Sequence, residues 1–277
     1  MYQTIAGPIP RSVVQRTFQF GSALSGLLLV LTGCQGAPVR STGYLSTYDN
    51  VNVAKISPFG TTSVPKRVEE AEKVGRVYIQ PAIFRLEGDL QFSKDDLDSV
   101  RNEVDRQLCF EISKYFIVDF VPSDQAATAR TAIVILSPTG RAGSVASAAA
   151  HFVVPIVDLR SPMSTGGIGI ETEMVGPDGK QVTSLLWSRQ AEVVGRVKPS
   201  LSRVGDALQL AKPMASAVGK TFKPYGHSKL VPEPDPCARY GSRLNAKGKV
   251  AGALMGAGTG LYAPEASGAG AKATQKK

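Results

Sequence analysis

The stretch Ser93–Phe116, SKDDLDSVRNEVDRQLCFEISKYF, decides how this chain is read. Leu97, Val100, Val104, Leu108, Ile112 and Tyr115 recur at helical spacing and share one side of a predicted helix. Ser93 stands at the N-cap, with Asp96 in capping-box register. Asp95, Asp96 and Asp98 lie near the positive end of the helix dipole. One apolar stripe on a long helix needs a second layer to cover it.

Working outward, Arg76–Ala82 (RVYIQPA) alternates apolar and polar residues and predicts a strand upstream of the helix. Downstream, Ile117–Val121 (IVDFV) and Thr131–Leu136 (TAIVIL) predict two more strands, with Ser123–Ala129 as a short helical turn between them. Gly169–Val175 and Val182–Glu192 flank Pro177-Asp178-Gly179, the chemistry of a tight turn, and so predict a hairpin. Leu201, Val204, Leu208, Ala211, Ala215 and Val218 predict a second helix over Ser200–Phe222, broken at Pro213. Residues 138–166 show no clear period around HFVVPIVDL. The fold expected is α+β, with two main helices on a mixed or antiparallel sheet of about five strands over residues 70–222.

The start of the chain carries a different signal. Residues 1–33 contain Arg11 and Arg16, an apolar run ending at Leu31, and no Asp, Glu or Lys. The pattern is that of a secretory signal, and its apolar part is too short to span a bilayer. Leu31-Thr32-Gly33-Cys34 resembles the bacterial lipobox, which implies cleavage before Cys34 and acylation of its thiol and new amino terminus. Gln35, rather than Asp, follows the cysteine, which points to the outer membrane. The long stretch before the apolar run predicts a translation start near Val13 or Val14.

Loss of residues 1–33 takes the net charge from +9 to +7. Residues 34–69 read as a disordered, lipid-anchored tether rich in Ser, Thr, Gly and Pro. Residues 223–277 read as a disordered, basic, Gly/Ala-rich tail with nine Lys or Arg against three acids. Within it Gly248, Gly252, Gly256 and Gly260 are spaced by four, the pattern of a membrane glycine zipper as well as of plain linker. Exported basic chain meets cell wall or lipid rather than nucleic acid, and no aromatics are interleaved for base stacking.

Three cysteines and two histidines exclude a disulfide scaffold, a CxxC zinc or redox site and His-rich catalysis. Cys109 in the first helix and Cys237 in the tail form a disulfide that pins the tail, or else stay as one buried and one mobile thiol. Glu171 and Glu173 alternate on one face of the hairpin, with Arg189 on the partner strand. They read as a solvated face with cross-strand ion pairs, and alternatively as paired acid/base carboxylates. Gly219-Lys220-Thr221 ends a helix rather than opening one, which is wrong for a phosphate loop. Ser63-Val64-Pro65-Lys66 has SxxK spacing, but Pro65 disfavours the helical register that spacing needs.

Three of these stretches carry a resemblance. Ser41–Tyr48 (STGYLSTY) just after the lipobox, Ile170–Met174 (IETEM) before the PDG turn, and Gly205-Asp206-Ala207 in the second helix are similar to a bacterial lipoprotein family of unknown function, domain of unknown function 3313. The resemblance implies an envelope lipoprotein and supplies no catalytic residues. The function expected is a non-enzymatic, lipid-anchored outer-membrane protein facing the periplasm. Its partners would be the membrane, through the anchor, and an envelope protein or peptidoglycan, with no cofactor, no metal and no nucleic acid. An envelope hydrolase using Glu171 or Glu173, or a glycine-zipper assembly protein, is the alternative.

Overall fold

The computed structural model describes residues 41–49, 51–57, 60–65, 73–88, 92–145, 158–159, 165–192, 194–195, 197–224, 233–243 and 246–274. Cys34 and the signal segment lie outside them, as does most of the HFVVPIVDL run.

The helix read from Ser93 is present as α1, Lys94–Ile112. Its capping box forms as the spacing predicts: the Asp96 amide donates to the Ser93 hydroxyl, and the Ser93 amide donates to the Asp96 carboxylate. Val100, Val104, Leu108 and Ile112 are buried, so the apolar stripe is the packed side. The second helix, α2, runs over Gly205–Phe222 without a break, and Pro213 sits inside it. Leu208 and Ala211 before the proline and Met214, Ala215 and Val218 after it share one core. That burial outweighs the backbone hydrogen bond a proline forfeits.

Among the described residues the main sheet has eight strands rather than about five. They are β1 (Val51–Ser57), β2 (Gly60–Pro65), β3 (Arg76–Ile79), β4 (Ile83–Phe84), β5 (Ile117–Asp119), β6 (Ala127–Ser137), β8 (Gly167–Val175) and β9 (Gln181–Gln190). Their order is β1-β2-β9-β8-β6-β3-β5, with β4 beside β6. The β3–β5, β3–β6 and β4–β6 pairs are parallel and the remaining pairs antiparallel, so the sheet is mixed. A short β7 (Asp158–Leu159) pairs with β10 (Val194–Gly195) apart from it. The expected helical turn over Ser123–Ala129 is a turn that gives way to strand at Ala127.

The extra strands have physical reasons. β1 and β2 arise in what reads as tether, and β2 extends the sheet by pairing Thr62 with Trp187 and Ser63 with Leu186. Two residues are too few for β4 to show a period. The predicted hairpin is β8–β9, closed by Gly179 at φ +77°, where a side chain would strain the turn. Unlike a hairpin with one wet face, β8 is buried from Gly167 to Met174. Ile168, Ile170 and Met174 join the helices in one core with Val104, Leu108, Leu210 and Met214. Glu171 and Glu173 alternate with them and therefore lie on the other face.

The described residues of the tail, 233–243 and 246–274, do not form a disordered extension. A 3-10 turn, Pro236–Tyr240, brings Cys237 to Cys109, and the two are joined in a disulfide. Linking residues 128 apart in sequence contributes roughly 3–5 kcal/mol, chiefly by restricting the unfolded chain. Arg243 donates to Asp235, to the Phe110 carbonyl and to the Ser113 hydroxyl. A third helix, α3 (Ala246–Thr259), follows, and beyond it Gly270 donates its amide to Glu103 on α1 at 2.9 Å while Arg106 donates to the Gly268 carbonyl. These contacts are polar and largely to backbone, so no hydrophobic period announces them.

Asp105 ties α1 to the β3–β4 loop by accepting from the Ala82 amide at 2.9 Å. Burial pushes its carboxyl up to about 6, against the lowering effects of the Ala82 hydrogen bond and of Arg101 and Arg239. The fold therefore favours the protonated form. That stability is complete below the ordinary value near 3.8 and is lost as pH rises through about 6. Asp105→Asn removes the ionisation. Its stability relative to the parent should be near zero at pH 4 and grow to about 2–3 kcal/mol above pH 7. Urea denaturation of both proteins across this pH range is the check.

Candidate functional site: a carboxylate pair beneath the N-terminal segment

The solvated-face reading of Glu171 and Glu173 is overturned, because both are fully buried. A buried carboxylate needs donors in place of water, and segment 41–49 supplies most of them. Glu171 accepts from the Thr42 amide at 2.7 Å and from the Tyr48 hydroxyl. That hydroxyl also accepts from the Leu45 amide, which folds the segment around it. Glu173 accepts from the Ser46 amide at 2.9 Å, the Ser46 hydroxyl at 3.0 Å and the Gln181 amide nitrogen at 2.5 Å. Arg130 Nε donates to it at 2.5 Å. The Gln181 side chain also donates to the Thr47 carbonyl at 3.0 Å, closing the arrangement at the hairpin end.

Arg189 is not the cationic partner. Register places Glu171 opposite Leu186 and Glu173 opposite Ser184, whereas Arg189 lies opposite Ile168 and pairs with Glu192 at 2.6 Å. The cation comes instead from β6, whose Arg130 lies directly opposite Glu173. Arg130 also donates to the Tyr44 carbonyl and lies over the Tyr44 ring at 5.1 Å. Burial pushes the Tyr44 phenol up, partly countered by Arg130.

Both oxygens of each carboxylate are thus engaged by structural donors. Two clefts of about 390 and 610 Å³ open where the tail crosses α1 and α2, and neither is lined by Glu171 or Glu173. The arrangement is a latch that holds a chain segment. It does not present an acid and a base to a substrate. Among the described residues there is also no group of three His, Cys, Asp or Glu that could hold a metal ion.

The other sequence candidates fall as follows. Ser63 lies in strand β2, and Lys220 lies in the last turn of α2, where no N-terminal dipole faces a phosphate. Gly252 and Gly256 face inward: a Cβ there would stand 3.4 Å from Ser267 and 3.0 Å from Lys198 Nζ. At these two positions the space is taken by the chain's own side chains. Among the described residues no helix is long and apolar enough to cross a membrane. Sequence reasoning missed Thr42, Ser46, Tyr48, Arg130 and Gln181 as partners of the glutamates. More than 120 residues separate Ser46 from Glu173, so no local pattern announces the pairing.

The class defined here is an α+β domain with two main helices on one face of a mixed sheet and a latched N-terminal segment on the other. The chain belongs to the family described as "Protein of unknown function (DUF3313)", whose model matches residues 66–218, more than half the chain. The match includes both glutamates and Arg130, and it starts after segment 41–49. Similar solved structures include two of the PelC dodecamer from Paraburkholderia phytofirmans, one of them a single-substitution variant. They are 11% and 12% identical with TM-scores of 0.37 and 0.36, and each comparison covers 60% of this chain and 98% of that one. Likeness at that level carries no argument about this protein. No curated protein matches the chain.

Glu173→Gln puts an NH₂ group against donors and strips Arg130 of its counter-charge. It should lower stability by about 2–4 kcal/mol. Tyr48→Phe, which loses one hydroxyl, should cost about 1 kcal/mol. Urea denaturation gives both values, and limited proteolysis should cut the Glu173→Gln protein first within residues 41–49.

Proposed function

We propose that this protein is a lipid-anchored protein of the bacterial outer membrane, whose α+β domain serves as a non-enzymatic binding or scaffold module in the periplasm. The observation that carries the reading is the fate of the cysteines. Of the three in the chain, Cys109 and Cys237 are bonded to each other, which leaves Cys34, at the end of Leu31-Thr32-Gly33, as the one thiol for acylation. A structural disulfide suits an oxidising compartment, the same side of the membrane that a lipobox addresses. Both acids that suggested catalysis are spent on the latch, which favours a role that rests on binding. Two or more acyl chains at Cys34 would anchor stably where one would not.

The mass of the chain extracted from membranes tests this. A protein that begins at Cys34 and carries diacylglycerol and an acyl group is expected, with Cys34→Ala left unprocessed. An unmodified chain that keeps residues upstream of Cys34 would overturn the proposal.

A further inference from the structure

The latch sets how far the domain can stand from its anchor and which way it must face. Thr42 is bonded to Glu171, the middle residue of β8, and β8 is the middle strand of the ordered sheet β1-β2-β9-β8-β6-β3-β5. The segment therefore begins near the centre of one sheet face. Helices α1 and α2 cover the opposite face, through Ile168, Ile170 and Met174. Only seven peptide links join Cys34 to Ser41. Fully extended, they reach about 25 Å. A path from the centre of this face to the helix side must first cross three strands, about 14 Å. It must then pass a sheet-and-helix thickness of roughly 20 Å. The total exceeds the reach of the leash.

We infer that the sheet face carrying Ser41–Asp49 lies against the lipid surface that holds Cys34, and that α1, α2 and the C-terminal strap point away from it. The inference rests on the proposed acylation of Cys34. Its occupant is the headgroup layer of the same bilayer, fixed by the length of chain between the anchor and the first latched residue. Ser41, Gly43, Ser46 and Asp49 form the exposed side of the segment, a neutral polar strip with a single carboxylate. Such a strip meets zwitterionic headgroups without burying an unpaired charge cluster. The described part of the C-terminal strap, with Arg239, Arg243 and Lys272, then faces the aqueous compartment and any acidic partner there rather than the membrane.

The test uses the acylated full-length protein in vesicles with a nitroxide quencher on the lipid headgroups. A maleimide fluorophore is placed on Asp49→Cys or on Lys212→Cys, an exposed position on the helix layer. Labelling omits reductant, so the Cys109–Cys237 bond stays closed. The label at 49 should be quenched several-fold more than the label at 212. Insertion of a 20-residue Gly/Ser spacer between Arg40 and Ser41 leaves the domain unchanged and should abolish the contrast. Equal quenching at the two positions without the spacer, or stronger quenching at 212, overturns the inference. Mass and vesicle sedimentation of the same samples separate the two claims. An acylated chain with no contrast sinks the orientation alone, whereas a chain without acyl groups sinks the proposed function and the orientation with it.

Discussion

Two carboxylates buried side by side must find hydrogen-bond donors within the protein, and that demand organises one whole face of this fold. Glu171 and Glu173 stand at the centre of the sheet, where water cannot serve them. Among the described residues only Arg130 and Gln181 reach them from neighbouring strands; the remaining donors are backbone amides and hydroxyls of residues 42–48. The dependence is mutual. The segment has one buried apolar side chain, Leu45, and would gain little from packing alone. Without the segment Glu171 would lose its Thr42 and Tyr48 donors, and Glu173 would keep only Arg130 and Gln181 of its described partners. A stretch that looks like tether by composition is folded because the sheet needs its N–H groups.

This division explains which parts were legible in the sequence. Helix α1 and the β8–β9 hairpin were readable because a single apolar period and a single turn motif encode them locally. The α+β class and the mixed sheet followed from those elements. The burial of Glu171 and Glu173 was not readable, because an acid every second residue along a strand is also the mark of a wet face. Only knowledge that residues 42–48 return to that face distinguishes the two cases. Arg189, nearer in sequence, was the obvious cation, and register assigns the role to Arg130 instead.

The tail makes the same point through different chemistry. Its glycines and alanines carry little hydrophobic signal, yet small residues let Gly252 approach Ser267 and Gly256 approach Lys198. Arg243, held by Asp235 and two groups at the end of α1, and the Cys109–Cys237 bond fasten the strap to the helix layer. The N-terminal segment and the C-terminal strap are therefore both bound to the domain, on opposite layers. The first sits on the sheet and the second on the helices. Under the proposed acylation of Cys34, a leash this short keeps the helix side from being the one that meets the lipid.

Hydrogen exchange at the Thr42 and Ser46 amides tests the central claim most directly. These two N–H groups are the donors to Glu171 and Glu173, and nothing else in a tether would protect them. The account predicts protection comparable to the β8 and β9 amides, lost together with the sheet on unfolding. Exchange at the rate of an unstructured peptide would contradict it, and segment 41–49 would then be the free tether its composition suggests.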